Sequence, residues 1–154
     1  MPPHPAQRLA RQVAIVTGGA SGFGAEICRA FASEGAQIVV ADINTILGEK
    51  LAAALTAAGH PALFHRTDVT RTADMGQLVA ATLARFGRLD IMVNNAGISH
   101  ANQPMLNVSE AEFDRIFQVN VKSLYLSAVH CVPVFRAQKR GCFINIGTQW
   151  TAER

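Results

Sequence analysis

Aromatic residues and cysteine are scarce in this sequence of 154 residues, and it has no long apolar run. Its three cysteines, Cys28, Cys131 and Cys142, are odd in number and have no CxxC spacing, which argues for reduced thiols in a cytoplasmic protein. Cys28 and Cys131 fall within apolar helical patterns, where a small buried hydrophobe suffices. The five histidines are scattered without metal-ligand spacing, so no metal site is expected. No stretch approaches membrane-spanning length, and Met1-Pro2-Pro3-His4-Pro5 lacks the apolar region of a signal peptide. Those prolines suit a flexible tail over 1–11. An excess of one charge sign is also missing: the net charge is +3, with acidic and basic residues mixed along the chain. The densest basic cluster, Arg136 with Lys139 and Arg140, falls where a helix should end and the macrodipole accounts for it. Nucleic acid and membrane are therefore not expected as partners.

What the chain does contain is 49% apolar residues in short, regularly alternating segments, enough for the core of one domain. Val13 to Val16 is a continuous apolar run that suits a strand buried on both faces. A helix is expected from Gly22 to Glu34, with Phe23, Ile27, Ala30 and Phe31 on one face and Gly35 as its stop. Gln37 to Ala41 reads as a second strand ending at Asp42. A helix from Asn44 follows, with Leu47, Leu51, Ala54, Leu55 and Ala58 as its stripe. Ala62 to Thr67 is a weaker third strand running to Asp68, and the next helix presents Leu78, Val79, Thr82, Leu83 and Phe86 before Gly87. Leu89 to Val93 is the fourth strand. Ser109 to Glu112 is a capping-box pattern opening a long helix with Phe113, Ile116, Phe117, Val121, Leu124, Ala128 and Val132 on its apolar face. A kink is expected at Pro133 and an end at Gly141, before a fifth strand from Cys142 to Ile146. Strand and helix alternate five times, which predicts an α/β fold: a doubly wound parallel sheet in three α/β/α layers, strand order 3-2-1-4-5, with a ligand crevice at the strand C-terminal ends.

The turn from Thr17 to Gly24 carries no bulky side chain until Phe23. Gly18 permits a tight turn, Gly22 lets the backbone approach a pyrophosphate, and Gly24 lets the helix sit near the strand. The helix N-terminus then presents free N–H groups and its positive dipole end to an anion. The spacing is G-x-x-x-G-x-G, and taken alone it is also compatible with a simple chain reversal. Asp42 sharpens the reading, because an acid about 20 residues beyond such a turn can accept hydrogen bonds from adenosine ribose hydroxyls. Its charge would repel a 2′-phosphate, favouring NAD over NADP. The alternative for Asp42 is an N-cap for the following helix. Asn120, set between Val119 and Val121, is costly to bury unless partnered; it is a hydrogen-bonded core amide, one turned to solvent, or part of an active site.

Thr17-Gly18-Gly19-Ala20-Ser21-Gly22-Phe23-Gly24, Asp68-Val69, Asn94-Asn95-Ala96-Gly97 and Asn120 together resemble the short-chain dehydrogenase/reductases over residues 12 to 148. The resemblance implies a Rossmann-like NAD(P)-binding domain over 12–149, here incomplete at its C-terminal side, with an atypical tail over 150–154. It implies cofactor contacts from Gly18, Ser21, Gly22, Phe23, Gly24, Asp42, Ile43, Asp68, Val69, Asn95, Ala96 and Gly97. Asp68 and Val69 would meet the adenine, and Asn95 to Gly97 the nicotinamide side. Asn120 would hold a water in a proton relay. Thr148 stands where the family usually has a serine that hydrogen-bonds the substrate oxygen. The implied reaction is hydride transfer between NAD(H) and a secondary alcohol or ketone, a small-molecule substrate, with a homo-oligomer expected for a full-length relative.

The family's Tyr-x-x-x-Lys would follow about a dozen residues after that serine position, past Arg154. The tyrosine there is the acid/base and the lysine lowers its pKa. Tyr125, the only tyrosine, has Val129 four positions on and cannot build the pair. Little or no dehydrogenase activity is therefore expected of these 154 residues alone. The fifth strand is expected to be an unpaired edge, and the Phe113–Phe117–Leu124 surface to lack cover. The alternatives are a non-catalytic nucleotide-binding or interaction protein, or a non-functional truncated product.

Overall fold

The computed structural model describes residues 7–147. Five strands, β1 (Val13–Thr17), β2 (Gln37–Asp42), β3 (Ala62–Arg66), β4 (Ile91–Asn94) and β5 (Cys142–Asn145), form one sheet in the order β3-β2-β1-β4-β5. Every pairing is parallel, as the alternation of strands and helices demands. The helices are α1 (Gly22–Ser33), α2 (Thr45–Ala57), α3 (Thr72–Phe86), α4 (Glu110–Phe117) and α5 (Ser123–Gln138). A π-helical segment, Gln118–Lys122, joins α4 to α5.

β1 is buried along its whole length and divides its side chains between two cores. Ala14 and Val16 pack with Ile38 and Val40 of β2 beneath Ala25, Cys28 and Ala32 of α1 and Leu51 and Leu55 of α2. Ile15 points the other way, to Val39, Met92, Met75 and Leu78 of α3, and Leu126 and Phe135 of α5. This two-sided burial is why the strand reads as an unbroken apolar run. Each such Leu or Ile contributes about 1.5–3 kcal/mol relative to exposure.

The helix faces differ in part from those expected. α1 buries Gly24, Ala25, Cys28 and Ala32, while Phe23 is 82% exposed and Ala30 faces outward. Small side chains let this helix lie close to the sheet, and Phe23 has no room beneath it. α2 buries Gly48, Leu51, Ala52 and Leu55 rather than Leu47, Ala54 and Ala58, because the Phe64 ring of β3 lies directly against Gly48. In the long helical region the buried line is Ser123, Leu126, Ser127, Cys131 and Phe135. Phe113, Phe117, Val121, Tyr125 and Val129 form an exposed stripe instead. The helical pattern changes at Gln118–Lys122 and not at Pro133, which lies within α5 on an exposed position. α5 ends in a left-handed Lys139, two residues before the expected Gly141.

The end of the sheet opposite the strand C-termini is pinned by one buried carboxylate. Asp90 accepts the Val13 N–H at 3.0 Å and two guanidinium hydrogen bonds from Arg88 at 2.6 and 2.7 Å, and forms an ion pair with Arg140 at 3.0 Å. Burial alone would raise its pKa, but the Arg88 and Val13 hydrogen bonds and the two guanidinium charges hold it below the usual carboxylate range. At the start of the described chain, Leu9 donates its N–H to the Glu34 carbonyl at 2.9 Å and packs on the α1–α2 core. The flexible stretch expected for 1–11 therefore does not extend through Leu9; residues 1–6 lie outside the described residues.

Candidate functional site

β1 lies between β2 and β4, so the connections leaving β1 and β4 diverge to opposite faces of the sheet and open a crevice at their C-terminal ends. A cavity of about 590 Å3 occupies it, within the range of small-molecule sites. Its wall includes Gly18, Ser21, Phe23, Asp42, Ile43, Asp68, Val69, Asn95, Ala96 and Gly97. Ten of the residues expected to touch a cofactor thus come to one surface from four separate loops.

The two glycines Gly18 and Gly24 are required by contact. Gly18 has φ +61°, and a methyl group there would lie 2.9 Å from the Ala96 Cα. At Gly24 it would overlap the Gly18 carbonyl oxygen and lie 2.6 Å from the Asn95 Nδ2. Gly24 is buried under the turn and does not line the cavity. Gly22 is different: its φ is +51°, and a side chain there would meet nothing within 4 Å. The space over Gly22 is open to a ligand.

The start of α1 is also left without a side-chain cap. Ser21 occupies the N-cap position but makes no capping hydrogen bond, whereas Asn44 caps α2 through the Leu47 N–H and Ser109 caps α4 through the Glu112 N–H. The first N–H groups of α1 and its positive dipole end therefore face an open space beside Ser21 and Phe23, an arrangement suited to a phosphate.

Asp42 ends β2 and does not cap α2, a position that Asn44 fills. Its Oδ2 accepts the Ala20 N–H of the glycine turn at 3.0 Å, and its Oδ1 accepts the Asn44 N–H at 2.9 Å. A carboxylate has further lone pairs beyond these two bonds. Asp68 is held in a similar manner: its Oδ1 accepts the Thr70 N–H and hydroxyl at 3.0 and 2.7 Å. Its own N–H donates to Asp74 Oδ2 at 3.0 Å. Val69 is buried beside it, with Ala96 and Val119 packed against the same core.

Thr17 joins this floor together, a role its sequence position did not announce. Its hydroxyl accepts the N–H groups of Asn95 and Ala96 at 3.1 and 3.2 Å and lies 3.3 Å from the Val93 carbonyl as donor. Asn95 returns the contact, its Nδ2 donating to the Thr17 and Gly18 carbonyls at 3.0 and 3.2 Å. The glycine turn and the Asn-Asn-Ala-Gly turn are thus one interlocked unit. Cys28 lies below it, buried, and burial pushes its thiol up to about 12.

Asn120 sits in the π-helical segment and is exposed, in keeping with the solvent-facing reading. Its Oδ1 accepts the Ile98 N–H at 2.9 Å and its Nδ2 donates to the Ile98 carbonyl at 2.8 Å, which clasps the chain just after Gly97. π-helical turns are often found at functional sites. Thr148 lies outside the described residues. Thr67, Thr70, Ile98, Arg115, Gln118 and Val119 also line the cavity and were not anticipated. For Thr67, Thr70 and Ile98 the available signal was adjacency to the Asp68 and Gly97 motifs. No sequence pattern pointed to Arg115, Gln118 or Val119. Tyr125 does not line the cavity. Among the described residues no helix is long and apolar enough to cross a membrane, and no cluster of His, Cys, Asp and Glu could hold a metal ion.

Residues 12–153 match the short chain dehydrogenase family. Over 140 residues the chain is 48% identical to a 4-formylbenzenesulfonate dehydrogenase of Comamonas testosteroni, covering 91% of this chain and 56% of that protein. It is 42% identical over 143 residues to tropinone reductase-like 1 of Erythroxylum coca, covering 91% and 52%. It is 39% identical over 143 residues to momilactone A synthase of Oryza sativa subsp. japonica, covering 91% and 51%. The chain spans about half the length of the curated relatives it matches.

Proposed function

The chain belongs to the short chain dehydrogenase family, and from that membership we propose that it carries the cofactor-binding part of an NAD(H)-dependent oxidoreductase. The reaction proposed is hydride transfer between nicotinamide and a secondary alcohol or ketone. The observation that carries this reading is the cavity itself, which joins the uncapped start of α1 and the open space at Gly22 to Asp42 and Asp68. Residues of this kind fit a dinucleotide: N–H groups for the pyrophosphate, a carboxylate for ribose hydroxyls and an apolar wall of Ile43 and Val69 for the adenine. The carboxylate of Asp42 at the ribose position supports NAD over NADP, because a 2′-phosphate beside it would be repelled.

When bound, the dinucleotide supplies the hydride chemistry and the protein supplies position and polarity. Asn95, Ala96 and Gly97 hold the nicotinamide side of the crevice on the Thr17 hydroxyl. Asn120 fixes Ile98 next to it, and its amide retains one N–H and further acceptor capacity for a water in the proton path. Thr148 is proposed to hydrogen-bond the substrate oxygen through its hydroxyl. A homo-oligomer is proposed for the whole protein, and the exposed stripe of Phe113, Phe117, Val121, Tyr125 and Val129 supports placing a contact there.

Fluorescence titration of the protein with NADH and with NADPH tests the cofactor assignment. Saturable binding, tighter for NADH, is expected. No saturable binding of either would overturn the dinucleotide reading, whereas tighter NADPH binding would overturn only the role given to Asp42.

A further inference from the structure

Among the described residues, Asp42 is the charged side chain whose hydrogen bonds join the strand end to the phosphate turn. Each carboxylate oxygen is already engaged by a backbone donor: Ala20 on one side and Asn44 on the other. Ala20 lies in the middle of the turn, between Gly18 and Gly22, and its own side chain is too small to fix the loop. The neighbouring bond from the Gly19 N–H to the Ala41 carbonyl, at 3.2 Å, anchors only the entrance of the turn. Past Ala20, Ser21 offers no side-chain cap to α1. Gly22, at φ +51°, has open space on its free side. From Ala20 to the first turn of α1, the Asp42 hydrogen bond is therefore the side-chain restraint on the loop.

We propose that Asp42 is a positioning residue for the phosphate-binding turn, in addition to facing the ribose. Its carboxylate latches the Ala20 N–H, so the free N–H groups of α1 point into the cavity before any ligand arrives. A hydrogen bond to an ionised group is about twice as strong as a neutral one, which suits a latch of a single contact. The other oxygen holds the Asn44 N–H, so the latch and the N-cap of α2 share one short segment. The proposal rests on the dinucleotide reading for its binding arm only; the turn geometry can be tested without ligand.

The sign of the effect separates this role from two simpler ones. Were Asp42 only a ribose reader, its removal would leave the binding of inorganic pyrophosphate unchanged. Were it only a negative charge beside the phosphate site, its removal would tighten pyrophosphate binding, since like charge disfavours the anion. A latch predicts the opposite: pyrophosphate binds more weakly when the carboxylate is lost.

The test uses Asp42→Ala and Asp42→Asn with Glu49→Gln as the comparison, because Glu49 is an exposed carboxylate on α2 that does not line the cavity. Asp42→Asn keeps the size of the side chain, but its NH2 group must face one of the two N–H donors, so it cannot satisfy both. Pyrophosphate affinity is expected to fall about tenfold in Asp42→Ala, the equivalent of one charge-assisted hydrogen bond, to fall by less in Asp42→Asn, whose amide oxygen can still accept one of the two N–H groups, and not to fall in Glu49→Gln. In the ligand-free protein, amide hydrogen exchange at Ala20 is expected to speed up at least about tenfold, with the amides of β1 and β2 unchanged. Unchanged or tighter pyrophosphate binding in both Asp42 variants, or unchanged Ala20 exchange, would overturn the latch. Absence of pyrophosphate and NADH binding by the unsubstituted protein would instead overturn the dinucleotide reading, and the exchange result would still decide the latch.

Discussion

Gly24 and Gly22 stand two residues apart at the start of one helix, yet adding a methyl group should have different consequences at each. In Gly24→Ala the new methyl overlaps the Gly18 carbonyl oxygen and approaches Asn95 Nδ2 to 2.6 Å. The first obstacle is backbone, so relief requires α1 to move off β1. Overpacking of this kind costs about 1–3 kcal/mol. The Asn95 hydrogen bonds to the Thr17 and Gly18 carbonyls are strained as well, at about 0.5–1.5 kcal/mol each. The helix propensity of alanine returns less than about 1 kcal/mol. A net loss of about 2–4 kcal/mol follows, or a fall in Tm of roughly 5–15 °C for a domain of this size. Gly22→Ala meets no atom within 4 Å and carries only the strain of φ +51°, about 1–2 kcal/mol. Its methyl projects into the open space assigned to the pyrophosphate, so its main effect is lost NADH affinity. Thermal unfolding followed by circular dichroism, with NADH titration of each variant, measures both. A Gly24→Ala protein melting within about 2 °C of the parent, or a Gly22→Ala protein that binds NADH as tightly as the parent, would refute the assignment of the two glycines.

Other substitutions probe the floor and the anchor of the site. Thr17→Val leaves the partly buried Asn95 and Ala96 N–H groups without their acceptor and should cost about 1–3 kcal/mol, while Thr17→Ser should cost well under half of that; chemical denaturation of both decides it. Asn120→Ala removes both bonds to Ile98, with an expected loss of about 1–2 kcal/mol and faster amide exchange at Ile98; unchanged exchange there would contradict the clasp. The Asp90 carboxyl is held below its ordinary value, so its contribution to stability is complete above about pH 4 and disappears as the pH falls through the lower native value. Asp90→Asn should therefore be less stable than the parent at pH 6 and lose less stability than the parent between pH 4 and the acid limit; parallel pH profiles would sink that argument.

The order of the elements was legible because each strand is a short apolar segment and each helix follows within a few residues. The continuous run from Val13 to Val16 correctly implied burial on two faces, and the glycine spacing together with Asp42 located the crevice. Helix faces were less legible. α1 and α2 are apolar on more than one side, so periodicity alone could not tell the small-residue stripe of Gly24, Ala25, Cys28 and Ala32 from the exposed Phe23 and Ala30. Close packing against the sheet selects the small side, and that is a tertiary effect. The same holds for Gly48, whose neighbour is the Phe64 ring of another element. Nothing local distinguishes the residues from Gln118 to Lys122 as a π-helical segment. The Thr17 hydroxyl finds its donors 78 and 79 positions further along the chain, beyond the reach of any pattern. Arg115 of α4 and Gln118 of the π-helical segment line the cavity, and a helical period does not say which side will face it.

Mapping NAD onto the protein by amide chemical shifts tests the central claim most directly. NAD is expected to shift the resonances of Gly22, Phe23 and Gly24 together with those of Ile43, Val69 and Asn95, while the amides around Asp90 at the other end of the sheet stay in place. Shifts confined to other surfaces, or none at concentrations that saturate ordinary dinucleotide sites, would contradict a cofactor site at the C-terminal ends of β1, β2 and β4.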